Sequence, residues 1–381
     1  MISKSQQALL SVLKTSLFDV RLNSPVSTDW NEVISEARAQ TVIGLISNYV
    51  PGLDLSSEQV KTSYMRIMYE QNRLLALLNS CSIPCVILKG SAAAVYYPKP
   101  YLRTMGDIDF LVPRTMFKDA IKILNTNGYT YVHGDNRDMG FIKNGVEFEL
   151  HHHFSSRGFN IDDILENAIN RRDICELNGY QFPILPKCEN GLVLIGHINQ
   201  HLKRNCLGLR QIIDWCMYIH SMANDSQWKA NFEPLLSSAG LIKLAASVTK
   251  MCNKYLGLPE IIDWSIKTEK GVEDELIKVI MNDGNFGRRN ETAATNNDKA
   301  LEVALYGYKS MGCFAYFRDI GLSTWKACKR YPFLRHFAFI YGFFRQLFKG
   351  CYMMLKGNGV VKNYKEGNKR YELYKKLGVR N

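Results

Sequence analysis

Apolar residues recur at helical spacing over residues 5–17, 29–47 and 57–79, which predicts a helical start to the chain. In the third stretch Met65, Ile67, Met68, Leu74, Leu75, Leu77 and Leu78 form one broad stripe, as a helix buried along one side requires. The period then changes. Ser82-Ile83-Pro84 breaks the helix, and the short run Cys85-Val86-Ile87-Leu88 predicts a buried strand. Residues 91–97 are Ala-rich and helix-compatible up to Pro98-Lys99-Pro100, and residues 107–112 read as a strand stopped by Pro113. A helix is predicted over 115–127, with Thr115 as N-cap, Phe117, Ala120, Ile121 and Leu124 on one face, and Gly128 as its C-terminal stop. After a short strand at 129–132, Asn144-Gly145 predicts a tight hairpin. Its second strand, 146–154, turns Val146, Phe148 and Leu150 to one side and Glu147, Glu149 and His151 to the other.

From 161 to about 284 the pattern is mostly helical, and the polar stretch 284–299 reads as a loop or linker. The expected fold class is therefore α+β: a small mixed β-sheet flanked by helices, followed by a mostly helical C-terminal region. Four units are expected. They are an N-terminal helical segment packing on the core (1–80), an α/β core (81–155), a helical domain (156–300) and a basic, aromatic-rich helical tail (301–381). No internal repeat is visible.

With 381 residues and 46% hydrophobic content, the chain can bury a sizeable core. Its 10 cysteines form no Cys-x-x-Cys pair and sit largely inside apolar patterns, which fits buried thiols in a reducing, cytoplasmic setting. The first 18 residues lack the apolar block of a signal peptide, and no apolar stretch is long enough to span a bilayer. The net charge of +12 is uneven: residues 309–381 carry 16 Lys/Arg against 3 acids, leaving residues 1–308 near −1. The basicity belongs to the tail and says little about the core.

The candidate chemistry lies in the core. A Gly90-Ser91 turn after an apolar strand brings backbone N–H groups close to a phosphate. Asp107 and Asp109, separated by one apolar residue, lie on one face of a strand and can share a divalent metal. Phosphoryl or nucleotidyl transfer needs both, a held triphosphate and cations that neutralise charge on the reacting oxygens. A third carboxylate on a neighbouring strand completes the set, and Glu149 is the candidate, with Glu147 beside it on the same face. Three consecutive histidines, His151 to His153, cannot converge on one ion from a regular strand. His197 and His201 share a helix face without an evident third ligand, and Arg210 and Asp214 are spaced as a helical ion pair.

Leu88-Lys89-Gly90-Ser91, Tyr97-Pro98, Leu102-Arg103, Asp107-Ile108-Asp109-Phe110-Leu111-Val112 and Glu149-Leu150-His151 together resemble the DNA polymerase β-type nucleotidyltransferase superfamily. More narrowly, they resemble a bacterial branch of largely uncharacterised nucleotidyltransferases. The likeness is dense over 85–153, thins to Leu209-Arg210 and Asp214, and does not reach the tail. Two features depart from the pattern: about 16 residues separate Ser91 from Asp107, more than in the compact motif, and the third acid is Glu rather than Asp.

The resemblance implies transfer of a nucleoside monophosphate from an NTP by a two-metal mechanism, with two Mg²⁺ ions or Mn²⁺ in their place. It makes 81–155 the nucleotidyltransferase core, with Asp107, Asp109 and Glu149 as catalytic metal ligands. Lys89, Gly90, Ser91 and Arg103 bind the nucleotide. The acceptor is a small molecule, a sugar, a protein or RNA. A glycosyltransferase using a nucleotide-sugar through Asp-x-Asp is the rival enzyme, disfavoured because helices precede the motif. A degenerate nucleotide-binding regulatory protein is the non-enzymatic rival.

In the tail, residues 331–355 are dense in aromatic and apolar residues interrupted by Arg335, His336, Arg345 and Lys349. These charges exclude a spanning helix and leave three readings: a helix docked on the helical domain, one lying on an anionic membrane surface, or an RNA contact. A membrane contact would place a cytoplasmic protein at the inner membrane surface. Residues 356–381 are expected to be a frayed basic end, dispensable for turnover.

Overall fold

The computed structural model describes residues 2–20, 28–134, 138–154, 161–204, 206–285, 308–309, 311–355 and 360–379. The linker expected at 284–299 falls almost wholly outside them. The first helix, Lys4–Phe18, starts in a reciprocal cap between Ser3 and Gln6. The single helix expected over 29–47 is two, Trp30–Ala39 and Ile43–Ile46, because Thr41 between them takes a left-handed backbone with φ +57°. The long helix Asp54–Ser80 buries Ile67, Met68, Leu74 and Leu78 of the predicted stripe, with Leu75 and Leu77 half-buried. Met65 is exposed, and Tyr64 takes the place expected for it.

A seven-stranded mixed sheet follows, built of β1 (Val86–Leu88), β2 (Asp107–Leu111), β3 (Thr130–Gly134), β4 (Asp138–Lys143), β5 (Val146–His151), β6 (Asp173–Leu177) and β7 (Tyr180–Ile184). Their order across the sheet is β3-β4-β5-β2-β1-β7-β6. β2 runs antiparallel to β1 and parallel to β5, and β7 runs parallel to β1. The Asn144-Gly145 turn joins β4 to β5 as expected, with both residues at positive φ. A second hairpin, β6–β7, turns on Asn178-Gly179 in the same way, at φ +52° and +81°, and extends the sheet past the expected 155 boundary. Thr115 does not cap the next helix. Residues Arg114–Met116 form a 3₁₀ turn, and the α-helix Phe117–Thr126 begins after it with no side-chain cap.

Alternation along the central strands sorts their residues into layers. Ile87, Ile108, Phe110, Phe148 and Leu150 point to one face and pack under Asp54–Ser80 and Phe117–Thr126, with Tyr64, Met68, Leu74 and Leu124. Val86, Leu88 and Leu111 join the other, larger core, built by the N-terminal helices and by Lys187–Lys203, Leu209–Met222 and Ile242–Met251. Toward one end of β2 and β5 this second face stops being apolar, and the acidic residues stand there.

The C-terminal end departs from expectation. Val360–Leu377 is a helix whose Leu373, Tyr374 and Leu377 are buried, together with Val379, in the large core. Arg370 forks onto Asp283 with two bonds of 2.7 Å. The segment reads as polar because Lys and Glu dominate its sequence, with Lys365, Lys369, Glu372 and Lys375 exposed. A few apolar residues on its inner face suffice to dock it.

Candidate active site

Asp107 and Asp109 occupy alternate positions of β2, and the parallel register sets Asp107 beside Glu147 and Asp109 beside Glu149 on β5. Period-2 alternation therefore gathers all four carboxylates on one face while the intervening residues go to the core. They do not share one environment. Glu149 opens into a cleft of about 430 Å³ with Asp107 and Asp109, whereas Glu147 lies outside the cleft lining and bonds His133 at 2.7 Å. Lys89, Gly90 and Arg103 also line the cleft.

Ser91 does not line it. Its hydroxyl is buried and donates to Gln71 Oε1 at 2.5 Å. The turn that precedes it is unusual: Lys89 sits at φ +50°, where a residue with a side chain is rare. That conformation sends Lys89 Nζ to Asp109 Oδ1 at 2.7 Å. His151 Nε2 meets the same oxygen at 2.8 Å and Glu149 at 3.5 Å.

Electrostatics differentiate the carboxylates. Burial alone would raise the Asp109 carboxyl, but Lys89 and His151 overcome it and hold Asp109 well below the usual range. Asp107 lacks such a partner set, and burial together with the charge on Asp109 pushes it up to about 6. For Lys89, burial acts against the charged form and is outweighed by Asp109, Glu149 and Asp107, so the ammonium stays raised. His151 is likewise raised, its burial outweighed by hydrogen bonds to Asp109 and Glu149.

Donor atoms of Asp109, Glu149 and His151 lie within 4.8 Å of one another, and those of His133, Glu147 and Glu149 form a second such group. Glu149 belongs to both. His133 reaches β5 from β3 because the intervening β4 residue is Gly140, where a Cβ would come within 2.6 Å of the imidazole. The carboxylates of Asp107, Asp109 and Glu149 suit a hard divalent cation, and a buried carboxylate whose charged form is disfavoured, as at Asp107, is what a bound cation would stabilise.

Sequence reasoning set His151 aside with the other two histidines, yet alternation on β5 places it beside Glu149, and that spacing was the available signal. β5 ends at His151; beyond it His152 packs on Phe117, 4.0 Å between ring centres, and His153 lines the cleft and pairs with Asp162 at 3.5 Å. His197 and His201 reach the cleft as a hydrogen-bonded pair, their Nε2 atoms 2.7 Å apart. Burial drives both imidazoles down, His201 to about 3, so both are neutral near pH 7.

Arg103 is held in a buried fork by Asp214, Nε to Oδ1 and Nη2 to Oδ2 at 2.7 Å each, and Tyr97 donates to the same carboxylate at 2.7 Å. The Tyr97, Arg103 and Asp214 of the sequence pattern thus form one tie between the sheet region and the helix Leu209–Met222. Arg210, one turn earlier on that helix, lines the cleft, and its charge acts to lower Asp107.

A family model described as uncharacterised nucleotidyltransferase matches residues 26–257, more than half of the chain. No match is found among curated proteins.

Proposed function

The chain belongs to the family of uncharacterised nucleotidyltransferases, and from that membership we propose that its cleft transfers a nucleoside monophosphate from an NTP to an acceptor. The acceptor oxygen bonds to the α-phosphorus, the bond to the bridging oxygen breaks, and pyrophosphate leaves. The observation that carries this reading is the register of β2 and β5, which sets Asp109 beside Glu149 with Asp107 on the same face of one cleft.

In this reading Asp107, Asp109 and Glu149 hold Mg²⁺, or Mn²⁺ in its place, as a two-metal site. Bound there, the ions supply positive charge for the attacking and leaving oxygens. Lys89 and Arg210 add fixed cations on the cleft wall, and Gly90 leaves room for the triphosphate to approach the backbone. Ser91 lies outside the cleft lining with its hydroxyl committed to Gln71, and its part is to fix the turn behind Gly90. Arg103 orients the Leu209–Met222 helix through Asp214 and acts at a remove from the phosphates.

The test is incubation with cell extract, Mg²⁺ and each NTP, labelled in turn at the α- or the γ-phosphate. Transfer requires the α-label on an acceptor and the γ-label in pyrophosphate, both abolished by Asp107→Asn and by Asp109→Asn. A γ-label on the acceptor, or turnover confined to nucleotide-sugars, contradicts the proposal.

A further inference from the structure

Residues 313–355 form a helical hairpin that turns many of its described apolar side chains outward. Helices Cys313–Thr324 and Ala338–Leu355 cross at two glycines. A Cβ on Gly321 would fall 1.9 Å from the Ala338 carbonyl oxygen, and one on Gly342 1.9 Å from that of Phe317. Backbones this close leave no room for large side chains at the crossing.

Phe317 packs on Phe339 and Phe343 beside this crossing, and a second set of large residues faces out. Phe337, Ile340, Phe344, Leu347 and Phe348 are 52%, 50%, 49%, 48% and 70% exposed, and their spacing makes one stripe along the second helix. Phe314 on the first helix and Phe333 in the connection are 59% and 64% exposed. Water-facing apolar area of this extent marks a surface that meets something else. The expectation that this segment docks on the helical domain does not account for so much exposure.

Charge selects the partner. Residues 311–355 contain 7 Lys/Arg and a single acid, Asp319. Two copies of such a surface repel one another, whereas an anionic bilayer complements it. No helix among the described residues is long and apolar enough to cross a membrane, and Arg345 and Lys349 interrupt this one. A contiguous stripe of Phe, Ile and Leu flanked by cations is the composition of a helix that lies in the interface. RNA platforms stack bases on aromatic rings along a charged groove, whereas this stripe is a helix face that includes aliphatic Ile340 and Leu347.

We propose that the 313–355 hairpin is a peripheral membrane anchor, seating its Phe337–Phe348 stripe in the headgroup layer of a bilayer rich in anionic lipid. The inference is independent of the transfer reaction, because no cleft residue lies in the hairpin.

Co-sedimentation of the full chain with vesicles tests it, comparing phosphatidylcholine alone with an equimolar mixture of phosphatidylcholine and phosphatidylglycerol. The full chain pellets with the anionic vesicles, at least ~tenfold more weakly with neutral ones, and raised salt weakens the anionic binding. Phe344→Ser/Phe348→Ser loses anionic binding ~tenfold or more, as does Arg335→Glu/Arg345→Glu. Thermal unfolding changes little, because all four side chains are exposed and Arg335 gives up only a 3.4 Å bond to the Cys328 carbonyl. The proposal is overturned by no pelleting with anionic vesicles, by equal and salt-insensitive binding to both vesicle types, by variants that bind like the unaltered chain, or by a dimer in sedimentation velocity that the Phe variant dissolves without any vesicle binding. Capture of RNA in place of vesicles also overturns it.

Discussion

Asp107 and Asp109 are two residues apart on one strand, yet their surroundings drive their carboxyls in opposite directions. Asp109 is neutralised by Lys89 and His151 and stays ionised. Asp107, at about 6, binds its proton more tightly folded than unfolded. Through this group the folded chain holds more protons between about pH 4 and 6, and the contribution of Asp107 to stability falls as pH rises through that window. With chelator present, Asp107→Asn should stabilise the protein by about 1–3 kcal/mol at pH 7 and by nothing at pH 4. Urea unfolding at the two pH values measures this, and an equal effect at both would mean that the Asp107 charge is not the cause. The Arg103–Asp214 fork is the opposite case, a buried pair whose halves need each other. Arg103→Met should cost about 3–5 kcal/mol by stranding the carboxylate. Arg103→Met/Asp214→Leu should recover much of that loss, and the same unfolding experiment reads the coupling.

Elements explain which parts of the site were legible in the sequence. The Asp-x-Asp strand, the Asn144-Gly145 hairpin and the acidic side of β5 follow from period-2 alternation and turn chemistry, which are local. The pairing of Asp109 with Glu149 could be anticipated from two acidic strand faces, although the parallel register between them is a property of the assembled sheet. Hairpin β6–β7 was hidden within a stretch read as mostly helical, despite the same Asn-Gly signal at 178–179. Arg103 was expected at the nucleotide because nothing local distinguishes a phosphate-facing arginine from one claimed by an aspartate 111 residues later. The left-handed turns make their own prediction. Gly179 sits at φ +81° with no atom near a would-be Cβ, so Gly179→Val would strain the backbone alone. It should cost about 1–3 kcal/mol in thermal unfolding, and a neutral result would show that the turn relaxes.

At the scale of the molecule, the sheet separates two cores and leaves its acidic end facing the helices that carry His197, His201, Arg210 and Asp214. The cleft is a product of this opposition, and the Tyr97–Arg103–Asp214 tie holds its two walls together. The C-terminal helix belongs to the same body. Because Leu373, Tyr374, Leu377 and Val379 fill the large core, deleting residues 357–381 should lower the melting temperature markedly or prevent soluble expression. A truncated chain with unchanged melting would show that the helix does not contribute to the core.

The account rests most heavily on Glu149 as the third carboxylate of the cleft. Label transfer from an α-labelled NTP by Glu149→Gln and Glu147→Gln, with matched melting temperatures, addresses it directly. Glu149→Gln should lose about 100-fold or more of the rate, ~2.7 kcal/mol of transition-state stabilisation, while Glu147→Gln stays near the unaltered rate. Loss in Glu147→Gln with Glu149→Gln active, or full activity in both, would contradict the assignment.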